Sequence, residues 1–123
     1  MKISTLHHVQ LAMPKGGEKA ARAFYQGLLG LEEVPKPPIL AARGGVWFES
    51  GAVRVHLGVE DDFRAARKAH PAFEVDGVVD LLAHLEAEGV AVVRDENLPG
   101  FARGYVQDLF GNRIELLEPI TGG

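Results

Sequence analysis

The chain repeats itself, and this constrains its fold more than any other property. Ala42-Arg43-Gly44-Gly45-Val46 matches Ala102-Arg103-Gly104-Tyr105-Val106 at an offset of 60, and Gly51 matches Gly111 at the same offset. Arg54-Val55-His56-Leu57 lines up with Arg113-Ile114-Glu115-Leu116 at offset 59, and His8-Val9 with His70-Pro71 at offset 62. Any one match arises by chance. Four in register, with matching helices and glycines, indicate a duplicated module.

Hydrophobic periodicity gives the module's contents. Residues 3–13 alternate as a strand ending at Pro14, and 18–29 carry Ala20, Phe24 and Leu28 at helical spacing before Gly30. A short strand over 31–34 runs into Pro35, Pro37 and Pro38, which suggest an extended edge connection. Strands over 39–50 and 52–59 turn at Ser50-Gly51. A charged, alanine-rich linker over 61–69 follows, and the pattern restarts. The second copy reads as a strand over 70–75, a helix over 78–88 with Asp76 as its N-cap, and strands over 90–93, 101–107 and 112–118. The order βαβββ thus occurs twice, which predicts an α+β fold. Its expected organisation is a single domain over 1–123, with module 1 at about 3–60 and module 2 at about 70–119.

Composition narrows the function. The net charge of −4, with scattered basic residues, argues against nucleic acid or an anionic membrane as partner. With no cysteine in the chain, disulfides, thiolate nucleophiles and cysteine-held zinc are excluded. No segment has the length of a membrane span and no N-terminal apolar run suits a signal peptide, so a cytoplasmic protein acting on a small molecule is expected.

The duplication also selects polar residues. His8 and His70 hold equivalent places on the first strand of each copy; His56 and Glu115 do so on the last. Two copies of one module usually pack about a pseudo-two-fold axis, which would gather three imidazoles and one carboxylate. These are ligands for Zn, Ni, Co, Mn or Fe as a divalent ion. Each candidate lies opposite the larger apolar residues of its strand. A lone histidine on a strand is more often structural than a ligand, and His7 and His84 take that reading; three histidines at repeat-equivalent sites argue for a metal. Arg43 and Arg103 are candidates to clamp an anionic substrate, or are solvated strand ends. Trp47 and Tyr105 share the ligands' parity, as do Gln10, Glu49, Glu74 and Gln107. Arg54 and Arg113 read as salt-bridged strand starts, and Asp108 as a turn former.

The stretches Phe24-Tyr25-Gln26-Gly27-Leu28-Leu29-Gly30-Leu31, His70-Pro71-Ala72-Phe73-Glu74-Val75 and Asp108-Leu109-Phe110-Gly111-Asn112-Arg113-Ile114-Glu115 resemble the vicinal oxygen chelate superfamily of glyoxalases, bleomycin resistance proteins and extradiol dioxygenases. The resemblance implies an incompletely closed, eight-stranded mixed barrel around one divalent metal ion, held by His8, His56, His70 and Glu115. It also implies a homodimer. Glu115 would be a ligand able to act as base. His56 stands where glyoxalase I carries its proton-transfer glutamate, so these two are the candidate catalytic residues, with Glu74 or Glu49 in reserve. Substrate contacts would come from Arg43, Arg103, Trp47 and Tyr105. The implied activity is of lyase or isomerase type on a substrate with adjacent oxygens. Alternatives are Fe(II) ring cleavage through His8, His70 and Glu115, and metal-free ligand sequestration in an aromatic trap of Trp47, Phe101 and Tyr105.

Overall fold

A computed structural model describes residues 1–120. The chain divides into two compact units, 1–65 and 66–123, with the boundary inside the charged linker. Each unit is one βαβββ module bearing a four-stranded mixed sheet.

In the first unit β1 (Val9–Met13), β2 (Glu32–Val34), β3 (Val46–Ser50) and β4 (Val53–Val59) form a sheet in the order β1-β4-β3-β2. β1 runs parallel to β4, and the other pairs are antiparallel. Residues 1–8 precede the ladder, because pairing with β4 begins at Val9 opposite Val55. The expected single helix over 18–29 is instead an α-helical turn, α1 (Glu18–Ala21), continuing as a π-helix over Arg22–Leu28. Its mark is the Leu29 N–H donating to Phe24 O at 3.0 Å, five residues back. Phe24 and Tyr25 are consecutive and both fully buried. The wider turn allows both rings to reach the core beside Phe48, which stacks on Tyr25 with centroids 5.6 Å apart.

The strand expected over 39–50 is shorter, because residues Pro38–Ala41 form a helical turn, α2. Pro38 sits in its first turn, where a missing N–H costs nothing. Gly44 and Gly45 then take φ of +78° and +88°, outside any strand conformation, so β3 starts at Val46.

The second unit repeats the plan with β5 (Ala72–Glu74), α3 (Val78–Ala87), β6 (Val93–Asp95), β7 (Phe101–Gln107) and β8 (Arg113–Pro119), ordered β5-β8-β7-β6. Val78, Leu82 and Leu85, spaced at about one helical turn, are the buried stripe that packs α3 on β7 and β8. A Cβ on Gly104 would lie 2.9 Å from Leu82 Cδ1, so that glycine lets helix and strand approach. β6 begins later than the expected 90–93, because Val90 N–H caps the end of α3 by donating to Leu85 O at 2.9 Å.

Asp76 does not cap α3. The N-cap is Gly77 at φ +84°, without a side-chain bond of its own. The carboxylate of Glu118, on β8, instead accepts from Gly77 N–H at 2.8 Å and Val78 N–H at 3.1 Å. Those two backbone bonds hold its carboxyl below the usual range. A group depressed in the folded state stabilises above its unfolded pKa and loses that contribution as pH falls. Glu118→Gln should therefore lower the melting temperature at neutral pH and less in acid, and should speed amide exchange in the first turn of α3. Unchanged exchange there would rule out the tertiary cap.

Among the described residues no helix is long and apolar enough to cross a membrane.

Candidate functional site

The two strand ladders decide which residues are equivalent. Trp47 lies opposite His56, and Tyr105 opposite Glu115. Trp47 and Tyr105 therefore correspond, as do His56 and Glu115. On this register Gly45, not Arg43, answers to Arg103. The offset between β3 and β7 is 58, two less than the matching letters suggested. Arg43 is exposed in the turn after α2, outside the sheet. No arginine fits at Gly45: a Cβ there would lie 2.2 Å from Leu57 O. The equivalence of Arg43 and Arg103 is thus corrected, and at this register position only the second unit carries a guanidinium.

The first unit stacks three rings. His56 is buried between His8, with centroids 4.3 Å apart and planes at 19°, and Trp47, at 3.9 Å and 7°. His8 is exposed, just before β1, and its Nδ1 lies 3.0 Å from Nδ1 of His7. His7, which the sequence alone reads as structural, is therefore part of this cluster. Lys36 Nζ stands 6.0 Å from the Trp47 ring and donates to Gly44 O. Burial, reinforced by the charge of His8, pushes the His56 pKa down, whereas Glu49 opposes the shift. A neutral imidazole is the form that binds a metal or accepts a proton.

The second unit gathers an ionic network. His70 Nδ1 lies 2.8 Å from Lys68 O. A carbonyl only accepts, so Nδ1 carries the hydrogen. His70 Nε2 lies 2.9 Å from Glu115 Oε1. Glu115 Oε2 accepts from Arg103 Nη1 at 3.2 Å, and Arg103 Nη2 donates to Asp95 at 3.1 Å. Burial would raise the Glu115 carboxyl, but the hydrogen bonds from His70 and Arg103 outweigh it, and it is held below the usual range. Asp95 is lowered by the Asn97 backbone N–H and by Arg103. Its part was not visible in the sequence, because it depends on β6 pairing Asp95 with Arg103. Tyr105 meets His70 edge-on, with centroids 5.6 Å apart, and lies beneath Arg103 and Arg113.

Asp108 is a structural residue, as its turn reading required. It accepts from the backbone N–H of Phe110 and Asn112, each at 2.9 Å, and from the Asn112 side chain at 3.0 Å. Glu74 and Gln10 are exposed, and Glu49 is paired with Arg54 at 3.4 Å.

Each unit thus brings two of the four proposed ligands together. Among the described residues no group of three or more such side chains is placed to hold an ion. The His70–Glu115 pair nevertheless suits one. The Nδ1 hydrogen, directed at Lys68 O, leaves Nε2 aimed at a carboxylate oxygen. The two atoms are 2.9 Å apart, with a proton or a metal ion able to lie between them. Adjacent ligands with bonds of about 2.0–2.2 Å to one ion lie roughly 3 Å apart.

A sequence model of the Glyoxalase/Bleomycin resistance protein/Dioxygenase superfamily matches residues 5–116. Comparison with curated proteins by sequence returns no match. Among solved structures, the chain is similar to a glyoxalase family protein from Bacillus anthracis, with 45% identity, 98% of each chain covered and a TM-score of 0.94. A lactoylglutathione lyase from Agrobacterium tumefaciens shares the fold at 24% identity and a TM-score of 0.76, with 96% of each chain covered. A genomically encoded fosfomycin resistance protein from Listeria monocytogenes does so at 19% identity and 0.76, covering 98% of this chain and 97% of its own.

Proposed function

Because this chain belongs to the glyoxalase, bleomycin resistance and dioxygenase superfamily, we propose that it is a divalent-metal-dependent enzyme of lyase or isomerase type. Its substrate is a small molecule with two adjacent oxygens, and it works as a homodimer. The observation that carries this reading is the His70–Glu115 pair: two atoms of metal-ligating type held 2.9 Å apart, with the imidazole oriented by Lys68 O. His8 and His56 would complete the donor set, and the bound ion would supply Lewis acidity toward the two oxygens.

The chain's own residues have separable roles. Arg103 keeps Glu115 ionised and fixes one of its oxygens, so the carboxylate is ready to accept a proton. His56 is kept neutral by burial and held between two ring faces, which makes it a second proton acceptor of fixed orientation. Trp47 and Tyr105 offer flat apolar surface beside these groups.

Metal content, measured by elemental analysis after reconstitution, tests the reading. Wild type should carry about one ion per chain, and His8→Ala and Glu115→Ala should each lose affinity by about tenfold or more. Equal, near-zero content in all three would overturn it.

One observation favours a second reading, a small-molecule binding protein without metal. Both Glu115 oxygens already have hydrogen-bonding partners, His70 and Arg103, so the carboxylate is satisfied as it stands. Ligand binding unchanged by a chelator would select this reading.

A further inference from the structure

The two units differ at one pair of equivalent positions. In the first, Arg54 lies directly across the ladder from Glu49 and is ion-paired with it at 3.4 Å. In the second, Arg113 lies directly across from Gln107. The carboxylate has been replaced by a neutral amide and the arginine kept. Among the described residues no carboxylate lies within ion-pairing distance of Arg113. Its guanidinium instead rests on the Tyr105 ring, 4.0 Å from the centroid.

There it lines a cavity of about 280 Å³ with Arg67, Tyr105, Gln107, Ala91 and Val93. Among the described residues no acidic side chain lines this cavity. The second arginine is delivered by the backbone. Arg113 N–H donates to Ala66 O at 2.8 Å, and Ala66 N–H donates to Asn112 Oδ1 at 3.0 Å. These bonds clamp the linker against the start of β8, and Arg67 follows directly. Two guanidiniums and one amide side chain, the Arg113 guanidinium seated on an aromatic ring, are a donor set for an oxyanion.

We propose that Arg113 and Arg67, with Gln107, form a subsite for an oxyanion group, a carboxylate or a phosphate. Arg113 and Glu115 are alternate residues on one face of β8, so the subsite begins about 7 Å along the strand from Glu115. The oxyanion is therefore part of the substrate, a small anionic molecule whose other end reaches the His70–Glu115 pair. That assignment rests on the function proposed above; the binding of an anion does not.

The test uses chelator-treated full-length protein, so that it is independent of metal content. Inorganic phosphate and malonate are titrated separately at physiological ionic strength, and the Nε–Hε signals of Arg113 and Arg67 are followed by NMR. Either anion should shift both signals saturably, and the tighter one names the group. Gln107→Glu rebuilds the Glu49–Arg54 arrangement on an exposed position and should weaken binding by about tenfold or more with the rest of the spectrum unchanged. Arg113→Gln should do the same. Absence of a saturable shift at Arg113 with both anions, or undiminished binding by Gln107→Glu, would overturn the proposal. Loss of metal binding together with intact anion binding would sink the metal reading and leave the subsite standing.

Discussion

Replacing Gly45 with alanine should cost about 3 kcal/mol or more of folding stability. Two effects combine. At φ +88° an L-residue is strained, and its Cβ would meet Leu57 O at 2.2 Å. The obstacle is backbone, part of the β3–β4 ladder, so it cannot rotate away. Relief requires separating the two strands where Val46 pairs with Leu57. Gly51→Ala is the internal control. Gly51 also has positive φ, at +57°, but nothing lies within 4 Å of a Cβ there. It should cost only about 1–2 kcal/mol, from backbone strain. Urea denaturation of both variants separates clash from strain; equal losses would show that the close approach at Gly45 is unimportant.

The second large effect concerns Glu115. At neutral pH Glu115→Gln should lose about 1–3 kcal/mol, because a buried carboxylate that accepts two charge-assisted hydrogen bonds becomes a neutral amide. The pH dependence has a definite sign. The Glu115 carboxyl is depressed in the folded state. Its contribution is therefore fully present above the unfolded value, about 4.3. It is lost as pH falls through the folded value. The gap between wild type and Glu115→Gln should be constant from about pH 7 to about 5 and should close below about 4. A gap that widened in acid would contradict the assignment. Arg103 retains Asp95 as a partner in the variant, which keeps the loss moderate.

The repeat was legible because strand alternation and letter matches agree at the first and last strands of each module: His8 with His70, and His56 with Glu115. It misled at Arg43 because the glycine-rich letters before β3 and in β7 align better than the strands do. Gly45 is a turn residue there, whereas Gly104 lies within a strand under Leu82. The remaining misses are tertiary. Nothing near Gly77 announces that its cap comes from Glu118, and nothing near Asp95 announces Arg103. Two adjacent buried aromatics, Phe24 and Tyr25, were the only local sign that a regular helix would not serve. The signal at Arg113 was present but misread. Its twin Arg54 faces Glu49, while Arg113 faces Gln107, a difference visible only after the ladders fix who faces whom.

The borrowed cap on α3 also bears on the order of events during synthesis. Val78 and the residue that caps it are separated by 40 positions. At about 5–20 residues per second, the ribosome needs roughly 2–8 s to cover that distance. Until then the helix start is open, and β8, which lies between β5 and β7, is not yet made. In the first unit β4 is likewise made last and lies between β1 and β3, but the start of α1 takes no side-chain cap from it. The duplicated modules are therefore built alike but mature on different clocks. Only in the second does the start of a helix wait for the last strand to supply its cap.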